Sequence, residues 1–500
     1  MSNKTSNNNN ADATAKKDLK SRVLESKKDS KLWFAVWTIL TIVFSIWAGN
    51  LWLLLFIILF FDIYITKYIP WSFWKKTKNK SVKKVMEWVD AILFALIAVY
   101  FINTFFFQNY QIPSSSLEKS LLVGDFLAVS KMSYGPRSPM TPLSFPLAQH
   151  TMPVVGGKSY IENPQWKYKR LKGFGEVKRN DIVVFNFPTG DTVATNAQNV
   201  DYYVLSAYNS NGSEGIKSDK RTYGDIVYRP VDRRENYVKR NIGLPGETIE
   251  LKNDTVYIDG VYIPNPKLAQ HNYMIQTDGT DISSKVFSEI GINIDDYGSE
   301  DMSGQKVQDL SYADSLSMAR LGLKTDNGKK GKLYYSIPMT DEMVEKMKSK
   351  PFVWSVVKEV EPAGSQLYYP LDYQQNWTRD TFGPLWIPQK GATINFDTDI
   401  EYKVAAYNRC IKNYEGNDFD YRDGKVFING QEASSYTFKM DYYFMMGDNR
   451  HNSADSRVWG FVPEDHVVGQ PLLIWLSLEK DKAWLSGKIR WNRLFRSAKK

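Results

Sequence analysis

The sequence predicts N-terminal transmembrane α-helices followed by a mainly β, antiparallel domain that carries a mixed α/β insertion. Three observations lead there: long apolar runs between lysine-rich flanks up to residue 107, short alternating runs punctuated by Gly and Pro beyond it, and a stretch at 263–380 where helical and strand patterns mix. With 500 residues and 43% hydrophobic content, the chain is long enough for several structural units.

The membrane region, 32–107, comes first. Residues 32–66 hold one charged side chain, Asp62. As a single helix they would run roughly 50 Å, against a hydrocarbon core of about 30 Å. Gly49-Asn50 is a turn dipeptide, so the run is expected to fold as a hairpin of spans at about 32–48 and 51–66. A third apolar run predicts a span at about 88–107. Asp62 lies close to the basic flank that begins at Lys67, and is read as reaching the interface rather than as an intramembrane functional acid.

Charge sets the orientation. Of the net +9, residues 1–31 supply +4 and residues 67–84 supply +7, so the remaining chain is slightly acidic. The basicity is therefore a topology signal, and no nucleic-acid partner is expected. Both basic segments belong in the cytoplasm. Everything past 107 then lies on the extracytoplasmic (periplasmic) face of a multi-pass protein of the cytoplasmic (inner) membrane. Residues 1–31 are a basic cytoplasmic tail whose Asn-rich start is expected to be disordered. Because a polar tail of about 30 residues precedes the first apolar run, a cleavable signal peptide is a poor fit.

Beyond 107, strand patterns occur at 126–130, 182–187, 237–242, 248–251, 255–258 and 426–428, with Asp259-Gly260 and Asn429-Gly430 as hairpin turns. The β domain is expected over 108–262 and 381–478. Within 263–380, candidate helices near 283–290 and 341–350 accompany a strand-like run at 332–337. Residues 140–175, rich in Pro, Gly and Lys, read as an extended excursion. The tail at 479–500 is basic and interleaves Trp484, Leu485, Ile489, Trp491, Leu494 and Phe495 with its cations. It fits either an interfacial amphipathic helix or a basic tail packed on the domain.

Elimination narrows the chemistry. Cys410 is the only cysteine, so an intrachain disulfide and a Cys-rich metal site are excluded. His150, His271, His451 and His466 show no ligand spacing, and no metal or cofactor is expected. Ser114, Ser115 and Ser116 follow soon after the third apolar run, where a nucleophile acts on substrates held at a membrane surface. A serine hydroxyl needs a base, and the histidines form no recognisable triad. A buried lysine serves if its pKa falls from ~10.4 towards ~7–8. That fall corresponds to roughly 4 kcal/mol, which burial in an apolar wall can supply. Tyr237-Val238-Lys239-Arg240 offers such a lysine in a strand. Alternation sends Lys239 and Arg240 to opposite faces, and arginine cannot give up its proton, so Lys239 is the candidate base. A third element, Met446 to Arg457, is dense in Asp, Asn, Ser and Arg and reads as a hydrogen-bonded network.

Three motifs occur in order: Ile112-Pro113-Ser114-Ser115-Ser116, Lys239-Arg240 followed by Gly243-Leu244-Pro245-Gly246, and Gly447-Asp448-Asn449-Arg450 continuing to Arg457. Together they resemble the bacterial type I signal peptidase (leader peptidase) family of Ser-Lys serine endopeptidases, over about 110–131, 178–188, 237–262 and 444–469. The resemblance implies that Ser116 is the nucleophile and Lys239 the general base. Ser114 would donate its hydroxyl to an oxyanion hole beside the N–H of Ser116. Ser453 would orient the Lys239 ammonium, while Asp448, Asp455 and Arg457 brace the loop. Ile112, Pro113, Leu117, Leu121, Tyr237 and Val238 match the family's shallow substrate pocket, and Tyr110 and Val184 match its second pocket; Ala454 is a further substrate-binding position. Implied partners are preproteins cut after Ala-x-Ala at the outer membrane surface, the lipid bilayer and the protein export machinery. The chain departs from the family at Leu117, usually Met, at Lys119-Ser120, usually Pro-Thr, and at Arg179-Asn180-Asp181, usually Arg-Gly-Asp. Two rival readings are a non-catalytic membrane protein that binds exported peptides on the same fold and a self-cleaving regulator. Intact Ser116, Lys239 and Ser453 count against the first, and three spans without a DNA-reading helix against the second.

Overall fold

The computed structural model describes residues 23, 26–71, 73–154, 156–198, 200–292, 307–310, 313, 315–326, 328–371, 375–479, 482–483 and 486–499. The expected disorder of the Asn-rich start falls outside them, as do Trp484 and Leu485. Two compact units make up the chain, Met1–Tyr100 and Phe101–Lys500.

In the first unit, helix Lys28–Ala48 ends at Gly49, whose left-handed φ of 58° lets its N–H turn back to the Ile46 and Ser45 carbonyls. Asn50 then starts the next helical segment by accepting the Trp52 N–H on its side chain. The apolar segment Leu51–Thr66 returns along the first helix, with Trp37 stacked on Phe60 at 5.2 Å and Phe34 edge-on to Phe61 at 5.5 Å. This is the hairpin that the turn dipeptide predicts. Asp62 acts locally, since its carboxylate accepts from Thr66 Oγ1 (2.5 Å), the Tyr68 N–H (2.8 Å) and Trp71 Nε1 (2.8 Å), fastening the chain as it leaves the helix. Among the described residues, two helices are long and apolar enough to cross a membrane, Lys28–Ala48 and Lys80–Phe105; Leu51–Thr66 is shorter. The last helix starts earlier than the expected 88, because Lys80, Lys83 and Lys84 are good helix formers that an apolar count ignores. It also stops at Phe105, and Phe107 is already in a strand.

The second unit is built on an eight-stranded antiparallel sheet. Its strands are β1 (Phe107–Gln111), β2 (Asp125–Ser130), β3 (Ile182–Asn186), β4 (Asn236–Gly243), β5 (Tyr442–Met446), β6 (Val462–Pro463), β7 (Val467–Ser477) and β8 (Arg496–Ser497), in the order β1-β2-β7-β3-β4-β5-β6, with β8 on β7. Every residue of β3 is buried, which is why it reads as an apolar run rather than an alternation. Its Ile182 and Val184 join one core with Ile112, Leu117, Leu121, Leu127 and Val129, while Val183 and Phe185 join another with Met445, Trp459 and Val462.

A second sheet combines Thr248–Lys252, Thr255–Ile258, Val261–Ile263 and Phe382–Trp386. Asp259 and Gly260, at φ 50° and 79°, make the tight turn of its hairpin, and Asn429 and Gly430, at 53° and 79°, repeat that turn in the hairpin of Lys425–Ile428. Helix Ile400–Arg409 packs here, and the Cys410 thiol is fully enclosed. Burial pushes that thiol up, away from thiolate. Between these strands runs an α/β module. Strands Val307–Asp309, Lys332–Met339, His271–Thr277 and Val353–Lys358 form its sheet, and helices Ser284–Ile290 and Asp341–Lys348 close its own core through Phe287, Ile290, Met343 and Met347.

One part goes beyond expectation, and another follows the second of two readings. Helices Tyr202–Tyr208, Gly212–Ser218 and Lys220–Tyr223 have no sequence-level periodicity, being one or two turns each, and are held by caps such as Asp201 to the Tyr203 N–H. The basic C-terminal stretch forms no α-helix among the described residues. Instead β8 pairs with β7, and Arg493 buries a bidentate bond to Asp125 (3.1 and 2.5 Å), so part of the expected tail belongs to the sheet. An acid buried under the sheet, invisible as a partner in the sequence, captures it. Residues 140–175 carry isolated bridges and no strand among those described.

Candidate active site

Ser116 sits in a single 3-10 turn, Ser115–Leu117, in the connection between β1 and β2. Leu117 and Leu121, 1% and 0% exposed, drop from this connection into the core and fix it from below. From above, Asn449 holds it: its N–H donates to the Ser116 carbonyl (3.1 Å), and its side-chain amide to the Ser115 carbonyl (3.3 Å). Gly447 must be glycine, since a Cβ there would stand 2.6 Å from the Ser116 carbonyl oxygen.

Alternation along β4 does what the sequence predicts. Lys239 Nζ reaches Ser116 Oγ at 2.6 Å, its one hydrogen-bond partner among the described residues. Burial drives the amine from its ordinary value down to about 8, although Asp455 and Asp448 pull it back up. Arg240, on the other face, makes a bidentate bond to Asp448 (2.7 and 2.7 Å), and Asp448 also accepts from Ser120 Oγ at 2.5 Å. The Lys239 amine and the turn that carries the Ser116 hydroxyl are thus tied through adjacent residues of one strand. Asp455 accepts from Arg457 Nε (2.9 Å), Arg457 NH2 (2.8 Å) and the Gly447 N–H (3.0 Å). Burial raises its pKa, but the Arg457 guanidinium, the Gly447 N–H and the Lys239 amine together hold it below its ordinary value.

Among the predicted pocket residues, Tyr110, Ile112, Leu117, Leu121, Val184 and Val238 share one cluster. Tyr237 does not join it: alternation turns it to the other face, stacked on Phe187 at 4.4 Å and 5.9 Å from Lys239 Nζ. Pro113 and Ala454 are exposed. Ser114 is exposed too, and its hydroxyl makes no cap to the turn. Ser453 differs from expectation. Its hydroxyl turns to the Ala454 carbonyl (3.4 Å) and packs beside Gly447, and Lys239 hydrogen-bonds to Ser116 instead.

The departures from the family pattern are absorbed. Ser120 still supplies a hydroxyl to Asp448, and Asn180 adopts a left-handed φ of 68° where glycine is usual. Lys119 takes φ 72°, which the usual proline could not. The sequence missed Arg240, Ser120 and Asn449 as site residues. The alternation that sets Arg240 opposite Lys239 was the available signal.

Asp254, Asp380 and His451 bring ligand atoms within 4.8 Å of one another. They do not fit a cation. The Asn272 N–H donates to His451 Nδ1 (3.1 Å), so the ring proton sits on Nε2, facing Asp380 at 2.9 Å. The Lys358 amine already lies 3.2 Å from Asp254.

A hydroxyl hydrogen-bonded to a buried amine of lowered pKa, on a β scaffold, is the arrangement of a serine hydrolase whose base is lysine. The sequence model described as signal peptidase, peptidase S26, matches residues 85–289 and 412–476, more than half of the chain. The chain belongs to that family and is a serine endopeptidase. It is similar to signal peptidase I of Buchnera aphidicola subsp. Acyrthosiphon pisum, at 25% identity over 84% of this chain and 83% of that protein. The Haemophilus influenzae signal peptidase I is 24% identical over 85% of this chain and 79% of its own length, and that of Bacillus amyloliquefaciens is 28% identical over 39% and 62%.

Proposed function

We propose that this chain is a membrane-bound signal peptidase that removes signal peptides from exported preproteins, with Ser116 as nucleophile and Lys239 as general base. The observation that carries the reading is the 2.6 Å contact between a buried lysine amine and the Ser116 hydroxyl. The neutral amine takes the Ser116 proton as Oγ attacks the scissile carbonyl. The Ser116 N–H and the Ser114 hydroxyl hold the oxyanion, and the resulting ammonium returns the proton to the leaving amine. Water then gives its proton to Lys239 and hydrolyses the acyl-enzyme, releasing the signal peptide and restoring Ser116. Ser453 is a second partner for the ammonium once its side chain rotates from Ala454. Asp448, Asp455 and Arg457 keep the loop in place.

Residues 263–380 form an insertion in the β domain; the family model leaves 290–411 unmatched, which supports the part from 290 to 380. The apolar helices anchor the protein with residues 1–31 in the cytoplasm and the β domain outside, where preproteins arrive from the export machinery. Small pockets beside Tyr110, Ile112 and Val184 select Ala-x-Ala. Purified protein is therefore expected to cut a preprotein with Ala at the last position before the bond, and Trp there lowers kcat/KM by at least about 10²-fold. Equal cleavage of both would remove the pocket assignment, and cleavage of neither the function.

Acidity tests the base. Lys239 acts only when neutral, so kcat/KM is expected to rise with pH, about tenfold per unit below the midpoint, and to level off near the amine's value of about 8. A flat profile from pH 6 to 9 contradicts Lys239 as base.

A further inference from the structure

The α/β module grips the candidate active site in two places. On one side, the segment leading into its strand His271–Thr277 lies along the loop that carries Asp448: the Gln270 N–H donates to the Asp448 carbonyl (2.8 Å), and the Arg450 N–H to the Gln270 carbonyl (2.8 Å). The Asn452 amide adds a bond to Asn272 (2.8 Å). On the other side, Lys119, three residues past Ser116, donates from Nζ to the Gly291 carbonyl at 2.9 Å.

That second contact is built at both ends. Gly291 closes helix Ser284–Ile290 with a left-handed φ of 97°, and a cation suits the partial negative charge of a helix C-terminus. Phe287 and Ile290, 2% and 3% exposed, lock this helix into the module's own core, so the carbonyl is a fixed anchor. At the near end, Lys119 holds φ 72°, a strained conformation for a residue with a Cβ, which persists where the surroundings impose it. Its side chain is only 17% exposed, and its amine also lies 3.6 Å from the buried Glu118 carboxylate.

We propose that Lys119 is a positioning residue of the peptidase. Its bond to Gly291 couples the module to the turn that carries Ser116, so that the module holds the hydroxyl within reach of the Lys239 amine. The proposal rests on Ser116 being the nucleophile. The module thereby acts on the rate of the chemical step and not on substrate affinity.

The test uses the full-length protein in detergent with a preprotein substrate, comparing wild type, Lys119→Met, Lys119→Gly, Lys119→Arg and Ser116→Ala. Met removes the donor at similar length, and Gly removes it while accepting the positive φ, so unfolding cannot explain a loss in the Gly variant whose melting temperature is unchanged or higher. Both also remove the amine's ion pair with Glu118, so Glu118→Gln is measured beside them: wild-type kcat there is expected, and a loss equal to that of the Met variant assigns the effect to Glu118 and overturns the coupling through Gly291. Met and Gly are expected to lower kcat roughly tenfold with KM within about twofold, and Arg to stay within about threefold of wild type. The pH midpoint should remain that of wild type, since Lys239 is untouched. Wild-type kcat in the Met and Gly variants, a change in KM alone, or a moved pH midpoint overturns the positioning role while Ser116→Ala is inactive. Activity in Ser116→Ala overturns the nucleophile reading and, with it, this inference.

Discussion

Ser116→Ala and Lys239→Met are each expected to lower kcat for preprotein cleavage by about 10⁴-fold or more, and the double variant to fall no further. In the proposed mechanism the two side chains act as one unit: without the amine the hydroxyl keeps its proton, and without the hydroxyl the amine has nothing to activate. Single-turnover cleavage of a preprotein by the three variants measures this. A double variant far slower than either single one would show two independent contributions and end the pairing. Lys239→Met should also melt at a higher temperature than wild type. It replaces an amine that burial disfavours with an apolar chain of similar volume, trading function for stability.

How much of this was legible in the sequence depends on the range of the interaction. Lys239 was readable because strand alternation and the inability of arginine to deprotonate are local facts, and the 2.6 Å contact to Ser116 agrees with them. The two hairpin turns were readable because Asp-Gly and Asn-Gly demand positive φ, and both pairs have it. Partners distant in sequence were not readable. Nothing in Ser120 announces Asp448, 328 residues away, and nothing in Arg493 announces Asp125. Ser453 faltered for a different reason: a motif fixes where a side chain is attached but not which rotamer it takes. The early start of the apolar helix at Lys80 escaped an apolar count because helical propensity and hydropathy are separate properties.

The second large effect concerns the Arg240–Asp448 ion pair next to the Lys239–Ser116 contact. Asp448→Ala is expected to destabilise the second unit by about 3–5 kcal/mol, the usual consequence of stranding one member of a buried pair. Arg240 is 5% exposed and Asp448 0%, so neither can turn to water. The same substitution releases Ser120 and hence the Ser116 turn, so residual activity should fall even at temperatures where the variant is folded. Asp448→Asn keeps hydrogen-bonding atoms and should retain more of both. Denaturant unfolding of the two variants checks the order. Wild-type stability in Asp448→Ala would mean that Arg240 finds other compensation and that the pair does not brace the site.

The enclosed Cys410 makes this chain a convenient subject for mapping by thiol chemistry. Its sulfur is sealed in the core and protonated, so maleimide should leave the native protein unmarked. Any cysteine introduced at the surface then becomes the sole reporter, with no background to subtract. On the proposed topology, an impermeant reagent applied to intact cells should modify Lys252→Cys and reach Lys78→Cys only after the membrane is breached; equal modification of both in intact cells overturns that topology.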